Sequence, residues 1–225
     1  FRNNKINKVK LDSSFFNNKK ISLTIDVNDK NEKITTLFSS YPKPLLKEYK
    51  FIKGFEEGIL DFYSIKKDKV SNSILTIDNF KVQEVPVLAK LLTLASLQGI
   101  ADLLTGEGIR FTDFEMKFSN QKGLMNIEEM YAIGPAISIL MDGYIERKNL
   151  ISLRGTLVPA TTINRSIASI PLIGKILVGK KTGEGVFGVS FKIKGPQKNL
   201  KTTVNPIKTL TPRFITRTLE KIKKN

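Results

Sequence analysis

Two pairs of adjacent carboxylates, Glu56-Glu57 and Glu128-Glu129, are the first residues to weigh for general acid–base work. Neighbouring side chains on a strand point to opposite faces, so neither pair can share one site, and solvated or turn positions suit them better. Lys181-Thr182-Gly183 has the K-T-G form of a serine acyl-transfer site, and Ser40-Tyr41-Pro42-Lys43 and Ser64-Ile65-Lys66-Lys67 have its S-x-x-K form. The S-D-N element that completes such a site is missing, and Pro42 falls where the nucleophile's helix should run on. Gly183-Glu184-Gly185-Val186-Phe187-Gly188 matches the G-x-G-x-x-G phosphate loop. That loop needs a strand before it and a helix after it. Here Lys180-Lys181 precedes and an alternating strand follows, so turn glycines explain the match. Asn164-Arg165-Ser166 is a glycosylation tripeptide inside a predicted helix, a pattern common by chance.

Cysteine, histidine and tryptophan are absent from all 225 residues. Thiolate nucleophiles, imidazole bases, histidine triads and nearly all zinc or haem sites go with them. The sequence thus reads as that of a non-enzyme, with no catalytic residues, no metal site and no cofactor.

Charge is the stronger signal. Lys and Arg number 37 against 21 Asp and Glu, a net +16. The excess sits in residues 151–225, where 15 basic residues face only Glu184 and Glu220. An anionic surface is the implied partner. No ribonucleoprotein motif or helix-turn-helix pattern appears, and Phe187, Phe191 and Phe214 suit packing better than base stacking, so nucleic acid is not expected.

The elements that must position these groups are mostly strands. Ile21, Leu23, Ile25 and Val27 alternate with polar residues, as do Phe114, Met116 and Phe118. So do Ile137, Ile139, Met141, Gly143 and Ile145, then Ile151, Leu153, Gly155 and Leu157, then Phe187, Val189, Phe191 and Ile193. Short turn-forming connections predict antiparallel neighbours, with a four-strand meander over about 109–157 whose second strand is Leu124–Ile133. Helices are predicted within Thr35–Tyr49 (short, limited to a turn or so by Pro42 and Pro44), over Val85–Leu104 (ended or kinked at Gly99), over Ala160–Val178 and from Pro212 to Lys224. The last is amphipathic and basic. Val85–Leu104 carries Lys90, Gln98 and Asp102 and is not expected to span a membrane. Starting at Phe1, the chain reads as a single-domain C-terminal fragment of a longer protein, with no signal peptide.

An ordered series then runs from Ile34 to Leu219. It comprises strand Gly58–Ser64, Ile77-Asp78-Asn79-Phe80, Val85-Pro86-Val87-Leu88, Gly106-Glu107-Gly108, Gly134-Pro135-Ala136, Pro159-Ala160, Ile170-Pro171-Leu172, Val204-Asn205-Pro206 and Leu210-Thr211-Pro212. In order and spacing it resembles the C-terminal domain of the AsmA-like family, which includes YhdP- and TamB-type proteins of Gram-negative envelopes. Arg213 departs from the glycine expected after the final proline. Residues 1–33 add only preceding strands.

The resemblance implies a β-rich α+β fold: a curved antiparallel sheet forming an open apolar trough, with two or three inserted helices and a C-terminal amphipathic helix. It implies a non-catalytic segment of a periplasmic bridge carrying phospholipid between inner and outer membranes, anchored in the inner membrane through an upstream helix absent from this chain. The groove candidates are Phe114, Met116, Phe118, Ile137, Ile139, Met141, Ile151, Leu153, Phe187, Val189, Phe191 and Ile193. The membrane-surface candidates are Arg213, Phe214, Arg217, Lys221, Lys223 and Lys224, facing anionic headgroups. The alternative is an outer-membrane assembly or scaffold module that binds an outer-membrane or periplasmic protein partner. Alternation leaves open which face of the sheet lines the groove.

Overall fold

Period-two alternation carries through most of the chain and builds one sheet. The computed structural model describes residues 8–46, 54–146, 150–159, 188–196 and 199–207. Eleven strands follow one another: β1 (Val9–Ser14), β2 (Lys20–Val27), β3 (Lys33–Ser39), β4 (Gly54–Lys67), β5 (Val70–Gln83), β6 (Ile109–Gln121), β7 (Leu124–Ile133), β8 (Ile137–Glu146), β9 (Ile151–Pro159), β10 (Gly188–Gly195) and β11 (Lys201–Ile207). Each pairs antiparallel with its neighbours in sequence, and the curved sheet does not close. The expected β-rich class and the 109–157 meander are both observed. The β6–β7 hairpin turns on Lys122-Gly123, both at positive φ (50° and 85°), the conformation that matches the strand twist.

Among the described residues three short α-helices interrupt the sheet. The first, α1 (Lys43–Leu46), is a single turn. The one-turn helix expected within Thr35–Tyr49 is observed there, and Thr35–Ser39 ahead of it belong to β3 and pair with β2 and β4. Their β-branched and aromatic side chains favour the pleat. Val85–Leu104 forms two helices, α2 (Pro86–Leu94) and α3 (Gln98–Thr105), with Pro86 in the first turn as expected. The break lies ahead of Gly99, at Ser96, whose φ is 57°. There the Leu97 N–H donates to the Leu92 carbonyl (2.9 Å) and the Ser96 N–H to that of Thr93 (3.0 Å). This double bond is a left-handed helix stop that usually takes glycine. The helices predicted over Ala160–Val178 and Pro212–Lys224 lie outside the described residues. Among the described residues no helix is long and apolar enough to cross a membrane.

The core gathers where α2 and α3 meet the sheet. Leu92 and Leu104 are fully buried against Phe55, Phe80, Val82, Ile109 and Phe111. The Phe80 ring stacks between Phe55 (5.3 Å) and Phe111 (5.4 Å). The α3 helix touches β5 and β6, while α2 reaches β11. In a flat sheet β6 and β11 would stand about 24 Å apart, whereas α2 is only about 14 Å long. The sheet therefore curls around the helix pair, and the face it turns to them is the concave one.

Candidate functional site

Directly opposed residues on antiparallel strands share a face. The register therefore settles which side chains enter the concavity. One row crosses the whole sheet, from β1 to β11: Leu11, Leu23, Leu37, Phe62, Leu75, Met116, Met130, Met141, Gly155, Phe191 and Val204. Every member is apolar, and the single glycine is the place where the Phe191 ring lies on the backbone. A Cβ on Gly155 would stand 2.6 Å from Phe191 Cζ. At about 4.8 Å per strand the row is roughly 48 Å long. A parallel row on the core side runs Leu60, Ile77, Phe114, Ala132, Ile139, Leu157 and Val189.

The groove candidates fall on this face. Phe114, Met116, Phe118, Ile137, Ile139, Met141, Ile151, Leu153, Val189, Phe191 and Ile193 all hold concave register positions. Phe187 lies outside the described residues, as do Arg213, Phe214, Arg217, Lys221, Lys223 and Lys224. Burial divides the set. Ile137, Ile139, Val189, Phe191 and Ile193 are buried, and all but Val189 join the cluster under the helices. Phe114, Met116, Phe118, Met141, Ile151 and Leu153 stay half-buried and within reach of a ligand. Towards β1 the cover is lost: Leu11 is 44% exposed. Sequence reasoning missed this N-terminal half of the row, Leu11, Leu23 and Leu37, although the alternation of β2 was visible.

The two faces differ in charge. On the convex side Arg110 holds Glu57 through two hydrogen bonds (2.8 and 3.1 Å), and Arg154 donates to Asp142 (2.8 Å). The Arg110 bonds hold the Glu57 carboxyl below the ordinary glutamate range, against a smaller opposing effect of desolvation. Lys81 and Lys43 both approach Glu56, at 3.4 and 3.8 Å. Lys192, Lys194 and Lys201 stand exposed on the convex side of β10 and β11. The cross-sheet row from Leu11 to Val204 carries no aspartate or glutamate.

The sequence motifs resolve into ordinary strand positions. Glu57, at φ 63°, is turned to Arg110, and the β7 irregularity between Ile127 and Met130 takes in Glu128 and Glu129. Ser64 and Lys67 lie three apart on β4 and so on opposite faces, which dissolves the S-x-x-K pattern there. Ser40 follows a strand rather than opening a nucleophile's helix, since it lies three residues before the single turn of α1. Lys181-Thr182-Gly183, the G-x-G-x-x-G stretch before Gly188 and Asn164-Arg165-Ser166 lie outside the described residues. Among the described residues no three His, Cys, Asp or Glu gather to hold a metal ion. Comparison with protein-family models, with curated proteins and with solved structures gives no match.

Proposed function

We propose that this chain is a non-catalytic segment of a lipid-transport bridge, in which phospholipid acyl chains lie along the concave face. The carrying observation is the apolar row that crosses all eleven strands of an unclosed sheet and is covered by helices only towards one end. An uncovered apolar face needs an occupant. Acyl chains suit it, at about 0.8 kcal/mol for each buried methylene. Because the row lacks polar side chains, such chains can slide along it without breaking specific bonds. The periplasmic setting, with transfer between inner and outer membranes, rests on the AsmA-like resemblance. So does an approach of the basic terminus to anionic headgroups, each nearby Lys or Arg adding roughly 1 kcal/mol.

A scaffold role is the second reading, favoured by β1, an edge strand of the sheet among the described residues and a place for strand addition by a protein partner. Native mass spectrometry of the chain purified without detergent, with lipid extraction from the same sample, separates the two. The conduit requires stoichiometric phospholipid. A lipid-free, folded monomer sinks it and leaves the scaffold.

A further inference from the structure

The helix pair closes one end of the trough into a ring. It leaves from β5 and returns to β6; α3 touches those two strands, and α2 crosses to β11. On β8, β9 and β10 the concave side chains Ile139, Leu157 and Phe191 are buried in one cluster with Leu88, Leu91 and Leu92 of α2 and Leu104 of α3. The helix leucines fill this end of the trough with hydrocarbon, as acyl chains would. Towards β1 the same face emerges, and Leu11 is 44% exposed.

The bonds that tie the pair down are unevenly placed. The polar ones lie at its two joints. The Glu84 N–H donates to the Leu104 carbonyl (3.3 Å), the Gly108 N–H to that of Leu103 (2.7 Å) and Gln83 Nε2 to that of Gly106 (3.0 Å). Both joints use left-handed backbone, at Glu84 (φ 48°) and Gly108 (φ 92°), a strained conformation for the glutamate. The helices' side-chain hydrogen bonds stay inside them, from Thr93 to Ala89, Gln98 to Asp102 and Thr105 to Ala101. At the far side, where α2 meets β11, Val87 and Val204 pack against the apolar cluster. Among the described residues no hydrogen bond or ion pair joins α2 to β11. The pair is therefore fixed at one side by directional bonds and sealed at the other by apolar contact, which has no direction and can be exchanged for another hydrocarbon.

We propose that the helix pair is a strap. It swings about the joints at Glu84 and at Gly106 to Gly108, leaves β11 and yields the place of its leucines to acyl chains. This rests on the lipid-conduit reading and adds to it the step by which lipid passes from the exposed end of the face to β11. A chain that carries its own hydrocarbon plug keeps that end dry while no lipid is present.

The test uses the full chain. It has no cysteine, so pairs of spin labels can be placed without removing any native thiol. Lys90→Cys with Lys201→Cys, both exposed, reads α2 against β11. Ile74→Cys with Lys192→Cys, both on the convex side, reads the sheet alone. Distances are measured by pulsed electron paramagnetic resonance on delipidated protein and after loading from phosphatidylglycerol vesicles, with bound lipid counted by extraction. Loading should lengthen the first distance by on the order of 10 Å, one helix diameter, and leave the second unchanged. Leu92→Ala in the first pair should raise the lengthened fraction several-fold at the same lipid concentration. Bound lipid with an unchanged first distance overturns the strap alone. Lengthening of both distances also overturns it, because the sheet itself would then be opening. A first distance already long in delipidated protein removes the closed state and the strap with it. Wild type that takes up no lipid overturns the conduit reading and the strap together.

Discussion

Replacing Met116 by aspartate puts a charge in the middle of the cross-sheet row, between Leu75 on β5 and Met130 on β7. Met116 is half-buried, so in the empty protein the carboxylate stays within reach of water. The fold should lose only about 1–2 kcal/mol. An acyl chain crossing that position meets a hydrated carboxylate. One strand of the row, about 4.8 Å wide, faces roughly four methylenes of an extended chain. Displacing four, at about 0.8 kcal/mol each, removes about 3 kcal/mol. That corresponds to roughly a 150-fold drop in affinity. Ile74→Asp is the control. Ile74 lies on the adjacent strand, is 40% exposed and points to the convex side, opposite Lys117. Lipid content by extraction and mass spectrometry, with urea unfolding on the same samples, reads both quantities. Met116→Asp should empty the protein and Ile74→Asp should not. Equal lipid in the two variants, at matched stability, would refute the assignment of the concave face as the lipid path.

Three further outcomes follow from the packing. Leu92→Ala, at a fully buried position of α2, should cost about 3 kcal/mol in urea unfolding and raise the binding of an apolar dye as the helix pair loosens; an unchanged midpoint would mean that the pair does not close the core. Gly155→Ala drives a Cβ against the Leu140 carbonyl, Met141 and Phe191, so it should destabilise by about 2–3 kcal/mol, with less than additive loss when combined with Phe191→Leu; strict additivity would deny the ring-on-backbone contact. Glu57, held below the ordinary glutamate value of 4.5 mainly by Arg110, contributes stability that is present above that value and disappears as pH falls through the lower folded one. Melting temperatures measured from pH 7 down to about pH 3 should therefore fall less for Glu57→Gln than for wild type, and parallel curves would count against the pair.

The strands were legible because each buries one face, so alternation records them directly. The face itself was not, since Phe114 and Phe191 alternate alike whether they line a groove or a core. Register decides it, and register belongs to pairs of strands distant in sequence. The stop at Ser96 was hidden because the left-handed position is filled by a serine, while the nearby Gly99 drew the eye. Thr35–Ser39 was grouped with the segment holding the one-turn helix, yet it pairs as β3 between β2 and β4. In the sequence, Ser64 suggested a nucleophile paired with Lys67, a residue on the other face.

The same side-chain chemistry thus serves two ends in one sheet, and the covering decides which. Under α2 and α3 the concave face is core: Phe191 and Ile193 are 3% and 4% exposed. Away from α2 and α3 the row continues through Phe62, Leu37 and Leu23 to Leu11; α1 touches β4, and exposure reaches 44% at Leu11. A sheet meant only to pack would stop presenting apolar residues where its cover ends, since each one left in water forgoes its burial. Here apolar residues persist for four more strands, and a chain of carboxylate-free positions runs beside them.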